Sequence, residues 1–165
     1  MGQNNLKILE LFFEYPEKNF TVREISKKTG IPKTTVHKEL KDLKSQNLIT
    51  KENEASESRY FKIKKINYFT EKIVSSGLIE KLVKEMNPSC IILYGSIRKG
   101  DSVKDSDIDI FIESSIKKIT DLSYYEEKLG HKIQIFVKSD INELNKNLLN
   151  NVINGIKLYG SFKIK

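Results

Sequence analysis

The sequence is poor in cysteine and proline and has no long apolar run. Its one cysteine, Cys90, rules out a disulfide framework within the chain. Lying beside Ile91-Ile92-Leu93, it reads as a reduced, buried core thiol rather than a nucleophile. A reducing cytoplasm is the expected setting. No stretch approaches the roughly 18 apolar residues of a membrane span, so no membrane partner is expected. The start of the chain carries no signal-peptide pattern, and Met1 to Leu6 lacks the Ser/Thr that myristoylation needs. The three prolines act as single boundary marks. Pro16 disfavours helical geometry at Tyr15, Pro32 suits an early helical position, and Pro88 opens a new organisation.

What is present is charge and periodicity. The 165 residues carry a formal net charge of +7. Residues 1–66 hold 14 basic and 9 acidic side chains, residues 67–165 hold 15 and 13, so the basic excess sits in the first part. The hydrophobic fraction is a modest 38%, but it is gathered into periodic segments that can each build a small core.

Leu6, Leu9 and Phe13 predict a first helix ending at Tyr15-Pro16. Thr21 with Glu24 three residues on forms a capping box for a second helix, which Gly30 closes. After Ile31-Pro32, the stripe Val36, Leu40, Leu43 predicts a third helix, with Lys33, Thr34, Thr35, His37, Lys38 and Lys41 mostly on its other faces. This is a helix-turn-helix layout, whose second helix enters the DNA major groove by its N-terminal residues. Leu48 to Lys51 and Arg59 to Ile63, separated by the polar run Glu52 to Ser58, are expected as the two strands of a wing. The ordered set from Phe20 to Ile63 resembles the winged-helix transcription regulators. The resemblance implies that the six third-helix residues contact duplex DNA, with a protein-interaction or dimerisation role as the alternative.

From Lys65 to Met86 the pattern is helical, with Phe69, Ile73 and Leu82 among its apolar positions and Gly77 as a break. Two readings stay open for this connector: packing the modules together, or pairing with another copy as a homodimer.

Cys90 to Tyr94 reads as a buried strand that Gly95-Ser96 ends abruptly. Further on, Asp107 and Asp109 alternate with Ile108, Ile110 and Ile112. Period-2 geometry puts the two carboxylates on one face, close enough to coordinate hard cations such as magnesium through oxygen. Gly95 allows backbone to approach a phosphate. Ser96 offers a hydroxyl and a backbone donor, and Arg98 and Lys99 supply positive charge. Gly95 to Gly100 has the internal spacing of a P-loop, but Asp101-Ser102 stands where Lys-Ser/Thr is required.

Gly-Ser, ten intervening residues and Asp-x-Asp, standing as GSIRKGDSVKDSDIDIF, resemble the minimal nucleotidyltransferases of the DNA polymerase beta superfamily. The resemblance spans roughly residues 87–160. It implies a mixed sheet flanked by helices, and Asp107 and Asp109 as catalytic metal ligands for Mg2+, two ions if the site is active. It further implies ATP or another NTP as substrate at Gly95, Ser96, Arg98 and Lys99, and an acceptor such as a toxin-like protein. The third carboxylate of active members would fall on the strand His131 to Val137, where Gln134 stands. A neutral amide adds no negative charge and accepts no proton as a carboxylate does. Glu113 has the right parity but lies farther along its strand, and His131 reads as a surface residue at a strand entrance. Ser139 to Asn154, with a capping residue at its start, Ile141, Leu144, Leu148 and Val152 as its stripe and Gly155 as its stop, predicts one packing helix.

The expected fold class is α+β: a winged helix-turn-helix over residues 1–66, a helical connector over 67–86 and a nucleotidyltransferase domain over 87–165. The expected activity is transfer of a nucleotidyl group, AMP first, by a cytoplasmic DNA-binding protein. The alternative is a transcription regulator whose degenerate transferase domain senses nucleotide. A third reading, a protein-interaction antitoxin, needs neither DNA nor nucleotide.

Overall fold

The computed structural model describes residues 2–118 and 121–165. Among these, the chain forms eight α-helices, one short 3-10 helix and a four-stranded mixed sheet. It divides into two compact units: residues up to Lys65 with Ser102–Lys104, and Ile66–Asp101 with Asp105–Lys165.

In the first unit, helix α1 (Gln3–Glu14) turns Ile8, Leu9, Phe12 and Phe13 into the core, while Leu6 is only half-buried. Helix α2 (Val22–Thr29) begins at a complete capping box: Thr21 Oγ1 accepts from the Glu24 amide at 3.2 Å and Glu24 Oε2 accepts from the Thr21 amide at 2.9 Å. Helix α3 (Lys33–Ser45) buries Val36, Leu40 and Leu43, the stripe its sequence predicts. Each such side chain taken from water contributes about 2 kcal/mol before entropy is counted.

The wing departs from expectation. Ile49 and Ala55 form an isolated antiparallel bridge around the turn Thr50–Glu54, but Arg59 to Ile63 is not its second strand. Those residues open helix α4 (Arg59–Ser75). Ser58 caps it, its Oγ accepting from the Phe61 amide at 3.1 Å. Phe61, Lys65, Phe69 and Ile73 then bury one face at four-residue spacing, while Tyr60 and Ile63 are exposed. A cap and a four-turn stripe outweigh five residues of strand-like composition.

In the second unit α4 ends near Gly77, whose φ of +89° admits the break, and helix α5 (Leu78–Met86) follows. The sheet is built from β1 (Cys90–Tyr94), β2 (Ile108–Glu113), β3 (Ile133–Lys138) and β4 (Ile156–Gly160), in the order β3-β2-β1-β4. Strand β2 runs antiparallel to β1 and parallel to β3, and β4 runs antiparallel to β1. Residues paired across strands share a face. One face therefore carries Cys90, Ile92 and Tyr94 of β1, Asp109, Phe111 and Glu113 of β2, and Gln134, Phe136 and Lys138 of β3.

The predicted single helix over 139–154 is divided. After α6 (Gly95–Lys99) and α7 (Ser123–Leu129), a 3-10 turn spans Ile141–Glu143, Leu144 is extended, and helix α8 covers Lys146–Ile153. The cause is a second cap: the Asn145 side chain accepts from the Leu148 amide at 2.9 Å and starts the helix afresh. Ile141, Leu144 and Val152, with the partly buried Leu148, still cover Cys90, Ile92 and Phe111 on the sheet.

Candidate nucleotide and metal site

Strand β1 ends at Tyr94, and Gly95 turns the chain into the five-residue helix α6 (Gly95–Lys99) with φ of +74°. A left-handed backbone at that point strains any L side chain. A Cβ at Gly95 would also stand 1.9 Å from Asp109 Oδ2 and 2.8 Å from its Cγ. The glycine therefore does two things: it makes the turn, and it leaves the volume that the Asp109 carboxylate fills.

Asp109 is half-buried in β2, opposite Tyr94 in the antiparallel register, whereas Asp107 is exposed one residue before the strand begins. Burial pushes the Asp109 carboxyl above the usual carboxylate range, and the charge of Asp107 pushes it the same way. Asp109 in turn adds to the effect of burial in raising the Tyr94 phenol. The structure thus brings Asp107, Asp109 and Gly95 together. The repulsion that Asp109 feels from Asp107 would change sign with a divalent cation beside them. Hard oxygens in this number suit magnesium, which is held by one or two carboxylates plus substrate phosphates. Among the described residues no cluster of three or more His, Cys, Asp or Glu side chains could hold a metal ion.

Ser96 and Arg98 are half-buried on α6, and Lys99 is exposed. Neither cation figures among the influences on Asp109. Lys132 is within electrostatic reach of Asp107: its ammonium is held above its usual range first by Glu126, at 2.8 Å, and also by Asp107. Gln134 lies beside Asp109 in the parallel register and is exposed.

Glu113 is far from this chemistry. Its Oε1 accepts from the Ile141 amide at 2.7 Å and its Oε2 from Ser89 Oγ at 2.6 Å, so it anchors the 3-10 turn. His131 is buried, not a surface residue. Its Nδ1 lies 2.7 Å from the Ser106 carbonyl oxygen, and its ring packs edge-on against Phe69 at 5.4 Å. Cys90 is buried, and loss of solvent, with Glu113 nearby, pushes its thiol up to about 11. An inert core thiol follows.

On α3 of the first unit, Lys33, Thr34, His37, Lys38 and Lys41 are exposed. At about 100° per residue, Thr34, His37, Lys38 and Lys41 share one arc of the helix. Thr35 is half-buried and turned away from that arc. His37 and Lys41 also line a hollow of about 320 Å³ with Lys44 and Asn53. Sequence reasoning missed Tyr94, Lys132 and the burial of His131. Each owes its place to a neighbouring strand or helix, which periodicity along one segment does not reveal.

Residues 76–163, more than half the chain, match the family described as Polymerase beta, Nucleotidyltransferase. The chain belongs to that nucleotidyltransferase family. The match begins at Ser76, so it takes in α5. Ahead of it, residues 12–59 match the MarR family, and the nucleotidyltransferase is preceded by a MarR-like winged-helix domain of the DNA-binding type. No curated protein and no solved structure matches the chain. No helix among the described residues is long and apolar enough to cross a membrane.

Proposed function

We propose that this protein transfers a nucleotidyl group, AMP first, from a magnesium-bound nucleoside triphosphate to an acceptor that the incubation below identifies, while its winged helix binds duplex DNA. The observation that carries the reading is the interlock of Gly95 with Asp109. A glycine whose missing Cβ leaves room for a carboxylate, itself facing a second carboxylate, favours a cation site over a solvated turn. Magnesium bound there would neutralise the triphosphate and the charge that develops in phosphoryl transfer. The chain's own part is to hold Asp107 and Asp109 on one side and to present the backbone and hydroxyl of Ser96, with Arg98, to the phosphates. For the winged helix, the support is the exposed lysine arc of α3 together with the basic excess of residues 1–66.

A second reading is favoured by Gln134. Its register beside Asp109 leaves an amide where a carboxylate would draw the proton from the attacking hydroxyl. On that reading the domain binds nucleotide and reports it without turnover.

Incubation with magnesium, α-labelled ATP and cellular protein or RNA, toxin-like proteins included, tests both. Label transferred by the wild type and lost in Asp107→Ala/Asp109→Ala is the expected result. Nucleotide bound without transfer, with transfer appearing in Gln134→Asp, would establish the sensor instead.

A further inference from the structure

Asp107 lies just outside β2, exposed, so the strand ladder alone does not fix it. Its two flanking peptides are both fixed by the segment that leads into β3. On the one side His131 Nδ1 meets the Ser106 carbonyl oxygen at 2.7 Å, and on the other the Ile108 amide donates to the Lys132 carbonyl at 2.8 Å. Because a carbonyl only accepts, Nδ1 is the protonated nitrogen. The ring itself is held: His131 is 5% exposed and packs edge-on against Phe69, which is 2% exposed. A buried polar side chain that spends its donor on the backbone beside an exposed acidic residue sets the position of that residue.

The geometry points to His131 as a positioning residue for the Asp107 carboxylate, and so for cation affinity at this site. The inference rests on the metal-site reading of Asp107 and Asp109. Groups one step behind a metal ligand orient it, and their loss costs about 10–100-fold in metal affinity or activity. His131 does not touch the cation. It places the peptide from which Asp107 projects.

The test is Mn2+ binding to the full chain, followed by electron paramagnetic resonance of the free ion, with thermal unfolding recorded alongside. In His131→Asn the amide nitrogen takes the place of Nδ1. In His131→Gln it is moved one methylene away, and in His131→Leu the volume stays but the donor goes. The Gln and Leu variants are expected to bind Mn2+ about tenfold or more weakly, and Asn within about twofold of wild type. Equal weakening in all three, or none in Gln and Leu, overturns the assignment. Asp107→Ala is the control. If it abolishes Mn2+ binding while Gln and Leu leave it intact, only the role of His131 falls. If Mn2+ binding survives Asp107→Ala, the metal-site reading and this inference fall together.

Discussion

At the scale of single residues, Gly95 and Asp109 act as one object. The backbone at Gly95 is left-handed, and the space that a side chain would take is occupied by a carboxylate oxygen. Gly95→Ala meets both obstacles at once, and the collision is with the group that would bind the cation. Displacing a reacting group by about 1 Å costs about a hundredfold in rate. Label transfer from α-labelled ATP is therefore expected to fall by about that factor in Gly95→Ala, and Ala activity equal to wild type would contradict the interlock. The chemistry of Gly95, Asp107 and Asp109 is legible in the chain because their spacing is local. The burial of His131 is not, because its partners Ser106 and Phe69 are 25 and 62 positions away.

At the scale of elements, caps decide where helices begin. Ser58 and Asn145 each start a helix where apolar composition suggested something else, a wing strand in the first case and an unbroken helix in the second. A five-residue window fits either periodicity, and only the continued spacing of Phe61, Lys65, Phe69 and Ile73 separates them. The capping box of α2 was readable because both partners lie within one turn, and it has a measurable consequence. Hydrogen bonds from the Thr21 backbone and hydroxyl, with Lys18 beside them, lower Glu24 from 4.5 to about 2. A folded pKa below the unfolded one stabilises above about pH 4.5 and is lost as pH falls towards about 2. Thermal midpoints of wild type and Glu24→Gln should thus differ near neutral pH and converge across that acid window. A constant gap would mean that the carboxylate plays no part.

At the scale of the whole molecule, two chemistries are assigned to two sets of residues. Replacing Lys33, Lys38 and Lys41 with Ala should weaken duplex-DNA binding. It should also flatten the dependence of log K on log salt by about one unit for each lysine on a phosphate. An unchanged slope would remove α3 from the interface. Asp107→Ala/Asp109→Ala, by contrast, should leave that slope as it is while abolishing label transfer. A slope altered by the aspartate pair would contradict the assignment.

The sequence by itself determined the local features. These are the capping box of α2, the helix stripe of α3, the turn at Gly95, the spacing to Asp107 and Asp109, and the glutamine at 134, all set by steric and periodic rules acting within a few residues. The tertiary structure alone decided which strands are neighbours. The order β3-β2-β1-β4 sets Gln134 beside Asp109 and gives Tyr94 to the same face, and the fold supplies Glu113, already four residues along the strand, with the Ile141 amide as its partner. Pairing across strands satisfies backbone hydrogen bonds between segments distant in the chain, so the company a carboxylate keeps is fixed by register, and register is a property of the folded sheet.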